Sequence, residues 1–285
     1  MSAAELCNTP VEYAHPNDRL ALRELFDSCF PGESEFSRWF FDCVWSPETT
    51  LTLRIDGLIV SALQMLPMEL EYDRQRLRGC YVFAVGTHPG YEGRGLAGRL
   101  LERSFEIGRS LGLDFSALIV QRSPLISFYS RFGYKPVFEV GSVELTPQPV
   151  DGETVQLDRS HIPEIDRLYR ESVGGMLFDV RDTDRWRRQM DAYKVLGTYT
   201  NGRLTGYCFF DTRGGGLFAA EACGESARAL VAGAAYKEGK KSAKMLTPVR
   251  EEGGREAIGC LKTLSERAEK AALEAQRCYL NLYYN

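Results

Sequence analysis

Along the first half of the chain, the spacing of hydrophobic residues changes between the period of an α-helix and the two-residue period of a β-strand. The pattern predicts a helix that Asn17 can cap, a second helix starting at Ser34 or Glu35, and a hairpin of residues 50–55 and 58–72. The second helix carries aromatic residues on one face, which is typical of packing against a core. These elements predict a domain with helices on a β-sheet.

The most informative motif of this half is the stretch of residues 80–98. An apolar run typical of a buried strand is followed by Gly93-Arg94-Gly95 and then by a helical pattern. A glycine-rich turn at the start of a helix leaves several backbone N–H groups without partners. Together with the helix dipole these groups attract anions, most often phosphate. Glycine also lets the anion approach the backbone closely, so the stretch predicts a phosphate site.

The elements after the loop complete the half. A helix reaches about Leu111, a strand covers residues 115–121, a helix starts near Ser123-Pro124, and residues 134–145 form a closing strand. The loop residues 92–97 therefore precede the helix and strand that lead to the second motif, residues 129–134.

Both motifs resemble the signature of the GNAT acetyltransferase superfamily, over roughly residues 10–146. The family has (Arg/Gln)-x-x-Gly-x-(Gly/Ala) between a strand and a helix, and residues 92–97 read EGRGLA. It closes with Tyr-x-x-x-Gly-(Phe/Tyr), and residues 129–134 read YSRFGY. Glu92 departs from the family, because a carboxylate is unfavourable beside a pyrophosphate unless it points away.

The resemblance implies that acetyl-CoA is the cosubstrate and that no metal is needed. In GNAT folds the strand before the loop separates from the next strand, and pantetheine takes backbone hydrogen bonds in the gap. Gly86 is a bulge signal within that strand. The positions that match the family's binding residues are Val85, Gly86, Thr87, Gly93, Arg94, Gly95, Leu96, Ala97, Gly98 and Ser123. Since the segment between the first two helices covers the acceptor site in the family, the aromatic helix face is interpreted either as core or as a substrate-facing wall.

The implied reaction is direct transfer of an acetyl group from acetyl-CoA to an amine of a small molecule or peptide. Tyr129 matches the family's general acid, and Tyr134 is a less favoured substitute. The general base stays open between His88, the terminal carboxylate of Asn285 and water. The alternative function is a non-catalytic CoA-binding or oligomerisation module, which Glu92 favours. The acceptor is not predicted, because the fold does not fix it.

The second half repeats the order of elements of the first. Two helices, a hairpin around Asn201-Gly202, a third strand, a helix and a strand are predicted, followed by a long helix of residues 255–277 and a final strand of 279–284. At the position of the loop, residues 223–226 read CGES and lack the Gly-x-Gly pattern. The second copy is therefore predicted to have lost the phosphate site.

These halves predict a tandem duplicated GNAT (acyl-CoA N-acyltransferase) fold of the α/β class with a mixed sheet. Residues 1–146 form a catalytic domain that binds acetyl-CoA, and residues 147–285 form a degenerate second GNAT-like domain. The layout resembles the Eis-like acetyltransferases, without the sterol-carrier-like third domain that those proteins normally carry. Mycothiol synthases are also tandem GNAT proteins, but their active copy is the second one.

Composition and charge narrow the range of partners. The 285 residues are 44% hydrophobic and 26% charged, as in ordinary globular proteins, and the net charge of −4 disfavours a nucleic-acid partner. The eight cysteines form no Cys-x-x-Cys motif and do not cluster with the three histidines, so zinc is not expected. No signal peptide or membrane-spanning run is evident, so we expect a cytoplasmic protein without a membrane partner. A homo-oligomer is left open.

Overall fold

Helices and strands alternate along the chain in the computed structural model, which describes residues 9–120, 124–150, 154–213, 215–248 and 254–282. Within these ranges the helices are α1 (Arg19–Cys29), α2 (Ser34–Cys43), α3 (Leu96–Ser110), α4 (Pro124–Ser130), α5 (Ile162–Ser172), α6 (Thr183–Ala192), α7 (Ala227–Lys237) and α8 (Glu266–Glu274). The strands are β1 (Val11–Tyr13), β2 (Thr50–Ile55), β3 (Leu58–Tyr72), β4 (Gln75–Thr87), β5 (Phe115–Ile119), β6 (Lys135–Leu145), β7 (Thr154–Gln156), β8 (Leu177–Asp179), β9 (Lys194–Thr200), β10 (Arg203–Arg213), β11 (Gly216–Cys223), β12 (Ala243–Thr247), β13 (Gly254–Thr263) and β14 (Cys278–Tyr279).

The first half places helices on both faces of its strands. β2, β3 and β4 are joined by antiparallel pairing, and β5 runs parallel to β4 after the α3 crossover. Leu100 and Leu101 of α3 are fully buried against one face of the sheet, and Phe40 of α2 is fully buried against the other. The predicted helix–sheet arrangement of this half is confirmed.

The second half repeats this topology. β9, β10 and β11 pair antiparallel in sequence, and β12 runs parallel to β11 after α7. The order of hairpin, third strand, helix and parallel strand therefore occurs twice in the chain. This repetition gives the tandem fold that the sequence pattern predicts.

The two halves share one sheet, because each contributes a strand to the other. The strand order is β1-β2-β3-β4-β5-β13-β6-β12-β11-β10-β9-β7, while β8 and β14 lie off this path. β13 of the second half lies between β5 and β6, and β6 of the first half lies between β13 and β12. The predicted domain boundary at residue 146 stays a prediction, and the sheet runs continuously across it.

The prediction of one long helix over residues 255–277 is wrong. Residues Gly254–Thr263 form β13, and the helix is confined to Glu266–Glu274. Ser265 begins that helix, since its Oγ accepts a hydrogen bond from Ala268 N at 3.3 Å. A Cβ at Gly259 would lie 2.9 Å from Leu118 O, so the glycine allows β13 to approach β5 closely. The predicted final strand is also shorter, at Cys278–Tyr279.

A buried charged cluster anchors the last described residues to the second half. Arg181 is fully buried and donates to both carboxylate oxygens of Glu221 at 2.7 Å. It also contacts Asp179 at 3.3 Å and donates to Asn281 O at 3.2 Å. Because each buried charge faces an opposite charge, the cluster fixes the segment around Asn281 without an isolated ion in the core.

Candidate active site

A cleft opens in the first half where β4 and β5 separate. Their parallel pairing covers Gly79–Tyr81 of β4 and Phe115–Ala117 of β5 within the described residues. Beyond Tyr81 the strands diverge, and the gap is part of a cavity of about 960 Å³ that also reaches the start of α3 and one side of α4. An open strand edge inside a cavity offers backbone donors and acceptors to an extended ligand.

A bulge in β4 lies at the inner end of this cleft. Phe83 pairs with Gln64 and Gly86 pairs with Ala62, so two residues of β4 stand opposite one residue of β3. Ala84 has a φ of 50°, a conformation that costs a residue with a side chain about 1 kcal/mol and is often retained at functional sites. The bulge therefore lies two residues before Gly86, the position from which the sequence predicts it.

Gly86 has a different place from the other predicted residues of β4. Val85 and Thr87 line the cavity, whereas Gly86 is buried and its carbonyl accepts a hydrogen bond from Ser61 Oγ at 2.8 Å. A Cβ at Gly86 would stand 3.0 Å from Cys29 Sγ, so glycine here allows α1 to pack on the strand. Its contribution to the site is close packing.

The predicted glycine loop forms the outer end of the cleft. Gly93 and Gly95 have φ values of 73° and 76°, and a Cβ at either position would meet no atom within 4 Å. The first bond of α3 runs from Arg99 N to Gly95 O at 3.2 Å, so the amides of Leu96, Ala97 and Gly98 have no partner inside the helix. Gly93 to Gly98 all line the cavity. The loop thus presents free amides and the positive helix end to one open space.

The two charged side chains of the loop, Arg94 and Glu92, have different surroundings. Arg94 donates to Gly90 O at 3.2 Å, and its guanidinium lies 5.0 Å from the centre of the Tyr91 ring. Glu92 is exposed at the cavity wall. The carboxylate that departs from the family pattern is therefore close to the site and accessible to solvent.

Tyr129 lies on α4 at the cavity wall, and its side chain is half-buried. Within the described residues its hydroxyl has no hydrogen-bond partner. Burial, and then the neighbouring Cys260 thiol, raise the pKa of Tyr129 to about 12. The phenol is therefore a neutral donor throughout the physiological pH range, free to bond with a ligand in the cleft.

Tyr134 is a core residue. Its ring is 2% exposed, and its hydroxyl lies 2.6 Å from Ser116 Oγ. Burial raises the pKa of Tyr134 well above its usual value. Because its hydroxyl already has a partner and lies outside the cavity wall, Tyr134 does not share the setting of Tyr129.

The second half holds α4 in position. Lys262 of β13 donates to Phe132 O at 2.7 Å, and its ammonium lies 4.6 Å from the centre of the Phe105 ring. Phe132 packs on Gly98, where a Cβ would stand 2.7 Å from the ring. These contacts fix the segment after Tyr129 against the start of α3, so the distance between loop and phenol depends on both halves.

The candidate bases are not brought together at the cleft. His88 is exposed, and its Nδ1 accepts a hydrogen bond from Gly90 N at 3.1 Å, which starts the short turn after β4. His88 is not part of the cavity wall in the described protein. Asn285 and the predicted binding residue Ser123 lie outside the described residues.

The segment from α1 to α2 supplies cleft residues that the sequence did not identify individually. Cys29, Phe30, Glu33 and Phe36 line the cavity beside the bulge. Phe40, on the same aromatic face, is fully buried. The aromatic face is therefore divided between the core and the cavity wall, and helical periodicity alone could not divide it.

The corresponding position in the second half differs from the glycine loop of the first, because two of its amides are already paired. Ser226 N donates to Thr205 O at 3.2 Å, and Ala227 N donates to Gly224 O at 3.2 Å. A Cβ at Gly224 would lie 2.2 Å from Thr205 O, so the backbone itself fills the space. A cavity of about 450 Å³ remains beside it, with both Glu225 and Arg228 in its wall.

The described residues carry neither a metal-binding cluster nor a helix suited to cross a membrane. They contain no group of three or more His, Cys, Asp or Glu side chains placed to hold a metal ion. None of their helices combines the length and the apolar character needed to cross a membrane.

Comparisons with known proteins place this geometry in a family. The family model described as "Acetyltransferase (GNAT) domain" matches residues 11–137. A comparison with curated protein sequences finds no match.

Solved structures share the fold at low sequence identity. A protein of Enterococcus faecalis described as a probable N-acyltransferase is 14% identical, with a TM-score of 0.71 over 92% of this chain and 74% of that one. A GCN5-related N-acetyltransferase from Kribbella flavida is 14% identical, with a TM-score of 0.72 over 92% and 72%. Eis1 from Mycobacterium abscessus is 16% identical, with a TM-score of 0.66 over 93% and 75%. The chain as a whole therefore has the GNAT fold, and its residues 11–137 match the acetyltransferase (GNAT) domain model.

Proposed function

We propose that this protein moves an acetyl group from acetyl-CoA directly to an amine, using the cleft of the first half. The observation that carries the proposal is one cavity that joins unpaired loop amides to a phenol without a partner in the described protein. The amine nitrogen forms a bond to the thioester carbonyl carbon, and the carbon–sulfur bond breaks. The amine loses one proton, and the departing thiolate takes one.

The fit of the cleft to the cosubstrate rests on three features. The amides of Leu96, Ala97 and Gly98 suit a pyrophosphate, since they are unpaired within α3 and lie at its positive end. Among the described residues β4 and β5 have no ladder pairing beyond Tyr81, and the gap between them suits the amides of pantetheine. The cavity of about 960 Å³ is at the upper end of the usual range of small-molecule sites.

The residues have separate tasks in this proposal. Backbone N–H groups around the Ala84 bulge are placed to polarise the thioester carbonyl. The Tyr129 hydroxyl donates a hydrogen bond to the departing sulfur. Acetyl-CoA supplies the activated acetyl group when it is bound.

One observation favours the non-catalytic alternative. Glu92 adds a carboxylate to the loop that would hold the pyrophosphate, which weakens cosubstrate binding. A CoA-binding or oligomerisation module would tolerate this loss.

Two measurements test the proposal together. Isothermal titration should give one acetyl-CoA per chain, because the second half lacks the free loop. Release of free thiol from acetyl-CoA should depend on added amine across a panel of amines. A stoichiometry near two, or binding without amine-dependent thiol release, would contradict the proposed function.

A further inference from the structure

A second cavity lies between α2 of the first half and α6 of the second half. Its volume is about 570 Å³, within the range of small-molecule sites. Phe36 lines both this α2–α6 cavity and the cleft that contains Tyr129. A molecule in the α2–α6 cavity would therefore stand one side chain away from the proposed site of transfer.

Four charged side chains line the α2–α6 cavity, the acids Glu35 and Asp191 and the bases Arg185 and Arg188, and they are not equally satisfied. Arg185 contacts Asp179 at 2.6 Å, and Asp191 accepts from Arg159 at 2.7 Å. Arg188 also lines the cavity and is half-buried, yet no acceptor among the described residues lies within hydrogen-bonding or salt-bridge distance of it. A half-buried guanidinium without a partner favours an anionic ligand, because the anion would replace the water that burial removes.

Gln189 is a second, independent indication of a ligand. The residue is 5% exposed and lines the same cavity. Its Nε2 donates to Leu282 O at 3.0 Å, which fixes the orientation of the amide. Its Oε1 is buried without a hydrogen-bond partner in the described structure. A buried acceptor of this kind costs about 1–3 kcal/mol when unsatisfied, so a ligand with an N–H group would complete it.

The remaining wall is aromatic. Trp39 and Tyr193 line the cavity together with Phe36. Trp39 is 36% exposed and belongs to the large apolar side chains that remain open at the surface. An apolar wall with a small number of convergent polar groups is typical of a site for an organic molecule.

We propose that the α2–α6 cavity is the acceptor site and that it takes an amine carrying an aromatic ring and a carboxylate. The proposal rests on the proposed acetyl transfer. The carboxylate pairs with Arg188, the ring packs on Trp39, and an N–H group of the ligand donates to Gln189 Oε1. The reacting amine then points past Phe36 toward the cleft.

The same observations disfavour other classes of acceptor. A polyamine could place ammonium groups near Glu35 and Asp191, but it would leave the Arg188 guanidinium without an anion. A phosphate dianion would leave most of its charge unmatched by one arginine. A monocarboxylate matches one guanidinium in both charge and bidentate geometry.

Binding of two probes that differ in charge alone tests the cavity. We would titrate the protein with indole-3-propionate and with indole-3-propionamide. The carboxylate is expected to bind at least about tenfold more tightly, a difference of roughly 1.4 kcal/mol. Arg188→Gln should remove this preference and Arg188→Lys should keep part of it. Arg187→Gln is the matched control, since Arg187 is exposed on the same helix and pairs with Asp184 at 3.0 Å.

Turnover tests the link to the cleft. L-tryptophan is expected to release thiol from acetyl-CoA about tenfold faster than L-tryptophanamide, and Arg188→Gln should abolish the difference. Equal binding of the two probes, absence of binding, or a preference that survives in Arg188→Gln would overturn the inference. Titration with acetyl-CoA separates the two proposals. If the unmodified protein does not bind acetyl-CoA, the proposed function is refuted, whereas the comparison of the two indole probes concerns only the α2–α6 cavity.

Discussion

Replacing Tyr129 by phenylalanine removes one hydroxyl from the cleft and leaves the ring in place. The magnitude of the effect follows from the acidity of the group. With a pKa of about 12, Tyr129 is a weaker acid than a thiol of pKa ~8.5 by about 3.5 units, so complete proton transfer to the thiolate would be uphill by about 5 kcal/mol. We therefore expect Tyr129 to act mainly by donating a hydrogen bond to the sulfur as negative charge develops there.

A hydrogen bond to a charged group contributes about 1.5–3 kcal/mol. For Tyr129→Phe this predicts a decrease in kcat of roughly 10- to 150-fold. The dissociation constant of acetyl-CoA should change little, because the ring still lines the cavity. Thermal stability should also be retained, since the lost hydroxyl has no partner among the described residues. The measurements are steady-state thiol release, isothermal titration with acetyl-CoA, and thermal denaturation.

Tyr134→Phe is the matched control for this experiment. Its hydroxyl lies 2.6 Å from Ser116 Oγ in the core, so the substitution should lower stability by about 1 kcal/mol and leave kcat close to that of the unmodified protein. A Tyr129→Phe variant with full activity would refute the proposed role. So would the reverse result, in which Tyr134→Phe is inactive but stable.

Three further perturbations test the loop and the shared sheet. Gly95→Val should weaken acetyl-CoA binding by about tenfold or more. The control Gly112→Val, at a glycine that also has a positive φ and open surroundings, should lose a similar stability of about 1–2 kcal/mol and keep acetyl-CoA binding. Equal acetyl-CoA affinities of the two variants by isothermal titration would contradict the phosphate site. Glu92→Gln should tighten acetyl-CoA binding by about two- to fivefold, and unchanged or weaker binding would show that the carboxylate does not repel the ligand. Residues 1–146 alone should fail to fold by circular dichroism and should recover acetyl-CoA binding when co-expressed with 147–285; an isolated fragment that binds normally would contradict the need for β13.

Local patterns predicted the elements of the first half closely. The hairpin bounds 50–55 and 58–72 are those of β2 and β3, because strand-forming residues and the Asp56-Gly57 turn between them are encoded within a few residues. The glycine loop of residues 92–97 was predictable because it too is encoded within a few neighbouring residues. Both of its glycines have the positive φ that the anion site requires.

Long-range pairing was not predictable from such patterns. Residues 255–277 contain helix-forming side chains, and their first part becomes a strand because it fills the space between β5 and β6. The bulge at Ala84 lies two residues before Gly86, the glycine that signals it, so its exact position was not predictable. Cys29 and Glu33 reach the cleft through the packing of α1 and α2 on the sheet. Each of these depends on contacts between distant segments, which override local propensity.

The shared sheet gives a physical reason for the second half to be present although it lacks the Gly-x-Gly loop of the first. β13 covers β5, and Lys262 on that strand holds the segment that follows Tyr129. On the other side of the first half, α6 supplies Arg188 and Gln189 to the α2–α6 cavity. A substitution in the second half can therefore change the distance between loop and phenol or the choice of acceptor without touching the acetyl-CoA cleft. We infer that the second half acts as the structural support and the acceptor wall of the first.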